Sequence, residues 1–353
     1  LKLFSQSAAP KIPELAAVLK RDVYDLCLPE GRVVGTRGHD NAVRFLTRRL
    51  GEVGCVPYAG SDFGLPYRGA GEDFTNLIGV IPGRDRSLPP LLVGAHYDSV
   101  IEAPCADDNG AAVSIALALA GIFREAGGLG RDVIIALFDA EEPPHYMTGT
   151  MGSERFYAEQ MDDRGVHFAL VYDLVGHDVS VPAEMVPGVG GMLAKVPGLG
   201  GKDIAIPHLR HLLFMTGAES HPGLPGFVDG AVMPKKLKLM ATLNEYVGDM
   251  SDHGVFRRNG VPYLFFSCGR WAHYHMETDT PDRLNYRKMA RIALLTADML
   301  VRADTEEMVP GQPAADTVEF EAKTLKEASG VLYPFLLKWA GVPDLGSREN
   351  IEA

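Results

Sequence analysis

Cysteine is scarce in this chain and positive charge is outnumbered. Its 353 residues include four cysteines, Cys27, Cys55, Cys105 and Cys268, scattered with no C-x-x-C spacing. That scatter gives no thiol metal or redox motif and favours free thiols over a disulfide framework. Lys and Arg total 34 against 46 Asp and Glu, for a formal net charge of -12. A nucleic-acid binder needs basic surface to meet phosphates, so that partner class is excluded. No apolar run is long enough to cross a bilayer, and no membrane association is expected. The longest, Ala111 to Phe123, is rich in small residues, contains Ser114 and reads as a buried helix. No signal peptide is visible. The chain begins at Leu1 rather than Met, so its compartment is left open, as is its oligomeric state. No internal repeat is present.

What is there is an ordinary globular balance, 46% hydrophobic and 23% charged, in a chain long enough to bury a sizeable core. Apolar runs at Asn76–Ile81, Leu91–Ala95, Val133–Phe138, Phe168–Tyr172 and Tyr263–Ser267 predict strands. Most are continuous rather than alternating, which suits strands covered on both faces. Between them, helices are expected over His39–Val53, Asn109–Ala126, Ser153–Met161 and Tyr286–Ala303, with a last one over Lys323–Ala340 interrupted at Pro334. Strands alternating with helices imply an α/β three-layer sandwich with a central, mostly parallel (mixed) sheet. Residues 1–353 are expected to form one domain, with an insertion at about 175–249 over one end of the sheet. Its methionines (Met185, Met192, Met215, Met233, Met240) suit core filling.

Several predicted strands run into residue types that bind zinc. Leu91–Ala95 leads into His96-Tyr97-Asp98, Val133–Phe138 into Asp139-Ala140-Glu141-Glu142, and Phe168–Tyr172 into Asp173. Tyr263–Ser267 is followed by His273-Tyr274-His275, and Asp107-Asp108 stand at a helix start. In open α/β sheets, ligands collect outside the carboxyl ends of the strands, so parallel strands would bring these groups together. Alone, each motif is weak: an H-x-D is usually a surface or capping pair, and an Asp after a strand is usually a helix cap. Their joint occurrence at four strand ends carries the functional reading.

These segments resemble peptidase family M28, the co-catalytic zinc aminopeptidases and their relatives. The likeness rests on Gly94-Ala95-His96-Tyr97-Asp98-Ser99-Val100, Ala106-Asp107-Asp108-Asn109-Gly110, Phe138 to Glu142, Asp173-Leu174-Val175-Gly176, Ser251-Asp252-His253, and His275 with Asp279 to Asp282. Gly31-Arg32 and Gly35-Thr36-Arg37-Gly38 also match the family. The resemblance implies a phosphorylase/hydrolase-like fold and two Zn²⁺ ions acting on peptides with a free N-terminus. It implies His96 on one ion, His275 on the other, Asp107 bridging both, and Glu142 and Asp173 one on each. Asp98 would accept the other N–H of His96 and fix its tautomer. Glu141 would be the general base and Tyr274 an oxyanion stabiliser. The family also implies a cis peptide between Asp107 and Asp108. Mixed N/O donors suit zinc better than magnesium. Two ions ~3.5–4 Å apart polarise a carbonyl and acidify water.

Of the two neighbouring imidazoles, the spacing to Asp279-Thr280 selects His275 over His273. His145, His177, His208, His211 and His221 read as structural or surface residues, Asp252 as a helix-start residue and Asp279 as a loop stabiliser. Cys105 stands where the family more often has a small residue such as Gly. Two rivals remain. Glutaminyl cyclases share the scaffold but use one zinc, for which Asp107, Glu142 and His275 would suffice. A binding protein with a dead site is the other, and the full set of acids and imidazoles weighs against it.

Overall fold

The computed structural model describes residues 10–182, 203–204 and 207–353. Its strands, in chain order, are β1 (Val56–Pro57), β2 (Gly64–Gly69), β3 (Glu72–Ile81), β4 (Leu91–His96), β5 (Val133–Phe138), β6 (Phe168–Tyr172), β7 (Val181–Pro182), β8 (Asp203–Ile204), β9 (Leu212–Thr216), β10 (Lys238–Ala241) and β11 (Tyr263–Ser267). Nine form one sheet in the order β1-β3-β5-β4-β6-β11-β9-β10, with β2 paired to β3; β7 and β8 form a separate pair. The centre, β5-β4-β6-β11, is parallel throughout. The flanking pairs β3–β5 and β11–β9 are antiparallel, so the sheet is mixed.

The continuous apolar runs are explained by cover on both faces. Along β5, Val133, Ile135 and Leu137 face one core, while Ile134, Ala136 and Phe138 face the other. The larger core holds helices α1 (Ile12–Leu26), α2 (Arg37–Glu52), α3 (Ala111–Glu125) and the helix Tyr286–Ala303. The smaller core lies under Phe156, Val255 and Phe256. This is the three-layer α/β arrangement expected.

Helix α2 starts where Thr36 accepts a hydrogen bond from the His39 amide, a side-chain N-cap. Alanine-rich α3 is buried along nearly its whole length. Residues 106–125 have the length and hydropathy of a membrane span, but that stretch is 94% buried inside the fold, as a core helix is. All four cysteines are free and buried, and burial pushes their thiols up to about 11 for Cys27 and Cys268 and about 12 for Cys55 and Cys105.

Much of the stretch read as an insertion extends the sheet itself. β9 pairs with β11, and β10 adds beyond it, joined by the helix Leu224–Asp229. Periodicity in so short a pair of strands is too weak to find them. Met215 is buried in the core, Met240 packs against it and Met233 is exposed; Met185 and Met192 lie outside the described residues.

Candidate metal centre

The four parallel strands end on the same edge, and the loops that leave them carry the acids and imidazoles. β4 ends at His96, opposite Phe138 of β5, and β6 ends one residue before Asp173. His96 Nε2 lies 3.4 Å from Asp108 Oδ1 and 3.7 Å from Asp173 Oδ1. His275 Nε2 lies 3.3 Å from Asp108 Oδ2 and 3.3 Å from Glu142 Oε2. Asp108 therefore offers one carboxylate oxygen to each imidazole, and each half of the site has one further carboxylate. Donor atoms of His96, Asp108 and Glu142 all fall within 4.8 Å of one another.

Asp107 is not the residue between the imidazoles, contrary to the sequence expectation. Its Oδ1 accepts the backbone N–H groups of Gly176 (2.6 Å) and His177 (3.0 Å), and its Oδ2 meets His177 Nδ1 at 2.6 Å. Gly176 permits this: a Cβ there would stand 2.8 Å from Asp107 Oδ1. The cis peptide is displaced by the same single residue, to Asp108–Asn109. His177, read as structural, is the residue that engages Asp107. An acid doublet holds no periodic signal to say which member turns inward, and His177 sits in an aperiodic loop.

The arrangement is short of counter-charge. Asp98, Asp108, Glu141, Glu142 and Asp173 are grouped around two imidazoles, and among the described residues no Lys or Arg forms an ion pair with any of them. His96 Nε2, His275 Nε2, Asp108 Oδ2, Glu142 Oε1 and Asp173 Oδ1 are all buried without a hydrogen-bond partner. Such orphaned polar atoms are costly unless something else satisfies them. Burial pushes the Glu142 carboxyl up to about 8, with Asp108 adding to the shift and His275 opposing it. Burial also raises Asp173, against the pull of His96. At Asp108 burial is overridden by the adjacent His275 and His96 imidazoles, which hold it well below the ordinary carboxylate range. Unpartnered imidazole nitrogens and carboxylate oxygens converging around Asp108 make a mixed N/O donor set that could hold a metal ion.

Glu141 stands beside this set, its Oε2 3.8 Å from His96 Nε2. Burial holds its carboxyl well above the ordinary range; His96 opposes this and Asp173 and Asp252 reinforce it. Asp98 Oδ1 lies 3.2 Å from His96 Nδ1 and also accepts the Glu141 amide at 3.2 Å, while its Oδ2 accepts the Glu142 amide at 3.0 Å. One buried carboxylate thus aligns the imidazole and both glutamates. Behind it, Asp139 bonds His39 Nε2 at 2.8 Å and accepts the Thr75 amide at 2.9 Å, anchoring the same loop. Tyr274 stacks on the His275 ring at 3.7 Å. It lines a cavity of about 410 Å³ with Asp173, Phe214, Met250 and Arg270.

Cys105, Ala140, Leu174 and His275 have positive φ, four of the seven such non-glycine residues among the described residues. Each costs roughly 1–2 kcal/mol relative to ordinary backbone. Each lies within three residues of a site side chain or is one, so the strain is concentrated where the donors are aimed. The left-handed backbone at Cys105 (φ 42°) also accounts for a preference for Gly there.

His273 bonds Thr278 Oγ1 at 2.7 Å, and His145 packs edge-on against Phe74. Asp279 accepts the Asp107 and Asp108 amides, as a loop stabiliser does. Asp252 precedes the helix His253–Arg258, but its side chain does not cap it. Both its oxygens are buried without partners, and burial pushes it up to about 7.

His253 bonds Asn244 Oδ1 at 2.9 Å and stacks on Phe265. Burial drives its pKa down to about 4, against the charge of Asp249. Between pH 6.5 and 4 the unfolded chain takes up a proton at this position that the folded chain refuses. The stabilisation is therefore complete above pH 6.5 and declines as pH falls toward 4, by on the order of 3 kcal/mol. Urea unfolding at several pH values should show a flatter acid limb for His253→Gln than for wild type; parallel limbs would refute the assignment.

The profile of Peptidase family M28 matches residues 76–189 and 202–300, more than half of the chain. YfbL of Escherichia coli (strain K12), an uncharacterized protein, is 27% identical over 228 residues, 58% of this chain and 64% of that protein. The chain thus spans under two thirds of that relative's length. Among solved structures, the LapA aminopeptidase of Legionella pneumophila superposes with a TM-score of 0.59 at 16% identity, over 84% of this chain and 72% of that one. A glutaminyl cyclase of Porphyromonas gingivalis gives a TM-score of 0.59 at 17% identity, over 81% of this chain and 97% of that one. At such identities the structural likeness is one of fold. The profile match takes in β4, β5, β6 and β11 with the loops that follow them, and on that ground the chain belongs to peptidase family M28.

Proposed function

We propose that this protein is a metallo-aminopeptidase that removes N-terminal residues from peptides. One zinc site would comprise His96, Asp173 and Asp108 Oδ1, the other His275, Glu142 and Asp108 Oδ2. The observation that carries this reading is Asp108 facing an imidazole on either side, 3.4 and 3.3 Å away. Two ions bound there would polarise the scissile carbonyl and lower the pKa of the attacking water. Glu141, with its raised proton affinity, accepts that water's proton and returns it to the leaving amine. Asp98 keeps His96 and the Glu141 amide in register during the transfer. The excess of carboxylates favours a substrate ammonium over a carboxylate. Tyr274, stacked on His275 and lining the adjacent cavity, would donate toward the developing oxyanion.

A chelator should abolish hydrolysis of amino-acid amides and short peptides, and zinc should restore it, at two ions per chain. Acetylating the peptide N-terminus should block cleavage. Saturation at one zinc, with ammonia released from a Gln-initiated peptide and no residue lost, would replace this reading with a cyclase.

A further inference from the structure

Arg32 is wholly buried, and among the described residues it forms no ion pair with a carboxylate. Its guanidinium instead bonds backbone carbonyls: Nε to Tyr97 O (2.7 Å), Nη1 to Pro104 O (2.7 Å), and Nη2 to Cys105 O (2.9 Å) and Asp108 O (3.2 Å). Its own amide donates to Ser99 Oγ at 2.7 Å. All these partners lie on the connection between β4 and α3, the segment that carries Asp98 and Asp108. Burying a guanidinium without a counter-ion is expensive, and a chain gains from it only where the planar fork holds something a neutral donor would not.

What it holds is the backbone of Asp108. The Asp108 carbonyl accepts from Arg32, and the Asp108 amide donates to Asp279 Oδ2 at 3.1 Å. The peptide groups on both sides of Asp108 are thus tied to buried side chains, a guanidinium at the carbonyl and a carboxyl at the amide. Asp108 (φ -108°, ψ 88°) departs from helical geometry here, where the turn 106–110 leads into α3. These ties act with the Gly176 and His177 bonds that hold Asp107 away, and together they present Asp108 rather than Asp107 to the imidazoles. Gly31 lets Arg32 reach: a Cβ there would stand 2.6 Å from Ile101 O and 2.7 Å from Ala103 N. The Gly31-Arg32 pair thereby acquires a physical role that its place in the sequence does not disclose.

We propose that Arg32 is the positioning residue that sets Asp108 between the two halves of the metal centre. This rests on the two-zinc reading above. Arg32→Lys keeps the charge but has no planar fork and cannot serve all four carbonyls. In the full chain, shown folded by circular dichroism, it should bind zinc roughly 10–100-fold more weakly in chelator competition. A residue that merely stabilised the loop would lower the unfolding temperature and leave the zinc affinity of the folded protein unchanged. The loss should also disappear in an Asp108→Asn background, because Arg32 acts through Asp108. Folded Arg32→Lys with wild-type zinc affinity overturns the proposal, as does a full additional loss on top of Asp108→Asn. Should Arg32→Lys fail to fold, Gly31→Ala carries the same test: weaker zinc binding supports the clamp and unchanged binding overturns it. A wild-type protein that takes up no zinc overturns the two-zinc reading itself, and is told apart by appearing before any variant is made.

Discussion

Asp108→Asn should strip zinc from the protein, whereas Asp107→Asn should not. Replacement at Asp108 removes a negative charge shared by both half-sites and turns one oxygen into an NH₂ group aimed at an imidazole nitrogen. Losing a group that only orients a ligand typically costs 10–100-fold in metal affinity. Losing a ligand common to both ions should therefore exceed ~10²-fold and take activity with it. At Asp107 the carboxylate is spent on the Gly176 and His177 amides and the His177 ring. Asn keeps one acceptor there, so the damage should fall on stability, about 1–3 kcal/mol for a buried partner left unsatisfied. Metal analysis beside thermal unfolding separates the two variants. If Asp107→Asn loses the metal and Asp108→Asn keeps two ions, the geometric assignment is wrong.

Glu141→Gln should cut kcat by at least ~10²–10⁴-fold with zinc content unchanged. Gln keeps the shape and the backbone bond to Asp98 but cannot take a proton. Glu141 is buried with its proton affinity raised, as a group that shuttles protons near neutral pH requires. Glu142, one position on, lies 3.3 Å from His275 Nε2. Glu142→Gln should instead weaken metal binding. Steady-state kinetics with metal analysis on both variants tests the division of labour, and an active Glu141→Gln enzyme would remove Glu141 from the mechanism.

The sheet centre was legible because burial on both faces writes a strand as an unbroken apolar run. Val133–Phe138 and Tyr263–Ser267 coincide with their predicted limits. Strands at the margin leave a fainter trace: β9 and β10 are five and four residues long and set among glycines and prolines. His96, Glu141, Glu142, Asp173 and His275 were marked as candidates by their places after strands, and the structure brings them together because the parallel sheet turns sequence position into spatial position. Asp107 was the exception. The turn between Cys105 and Ala111 decides which aspartate points inward, and that turn is set by Arg32, Asp279 and His177, all distant in sequence. No local pattern encodes a backbone held by remote hydrogen bonds.

The buried thiols give this protein a built-in clock. With every sulfur enclosed and held in its protonated form, an alkylating reagent meets nothing reactive until the chain opens. Cys105 lies at the start of the donor-bearing turn, and Cys55 directly before β1, the strand at the margin of the sheet. Mass spectrometry of the modified peptides would therefore time the breathing of the donor-bearing turn against that of the sheet's margin, with no engineered probe.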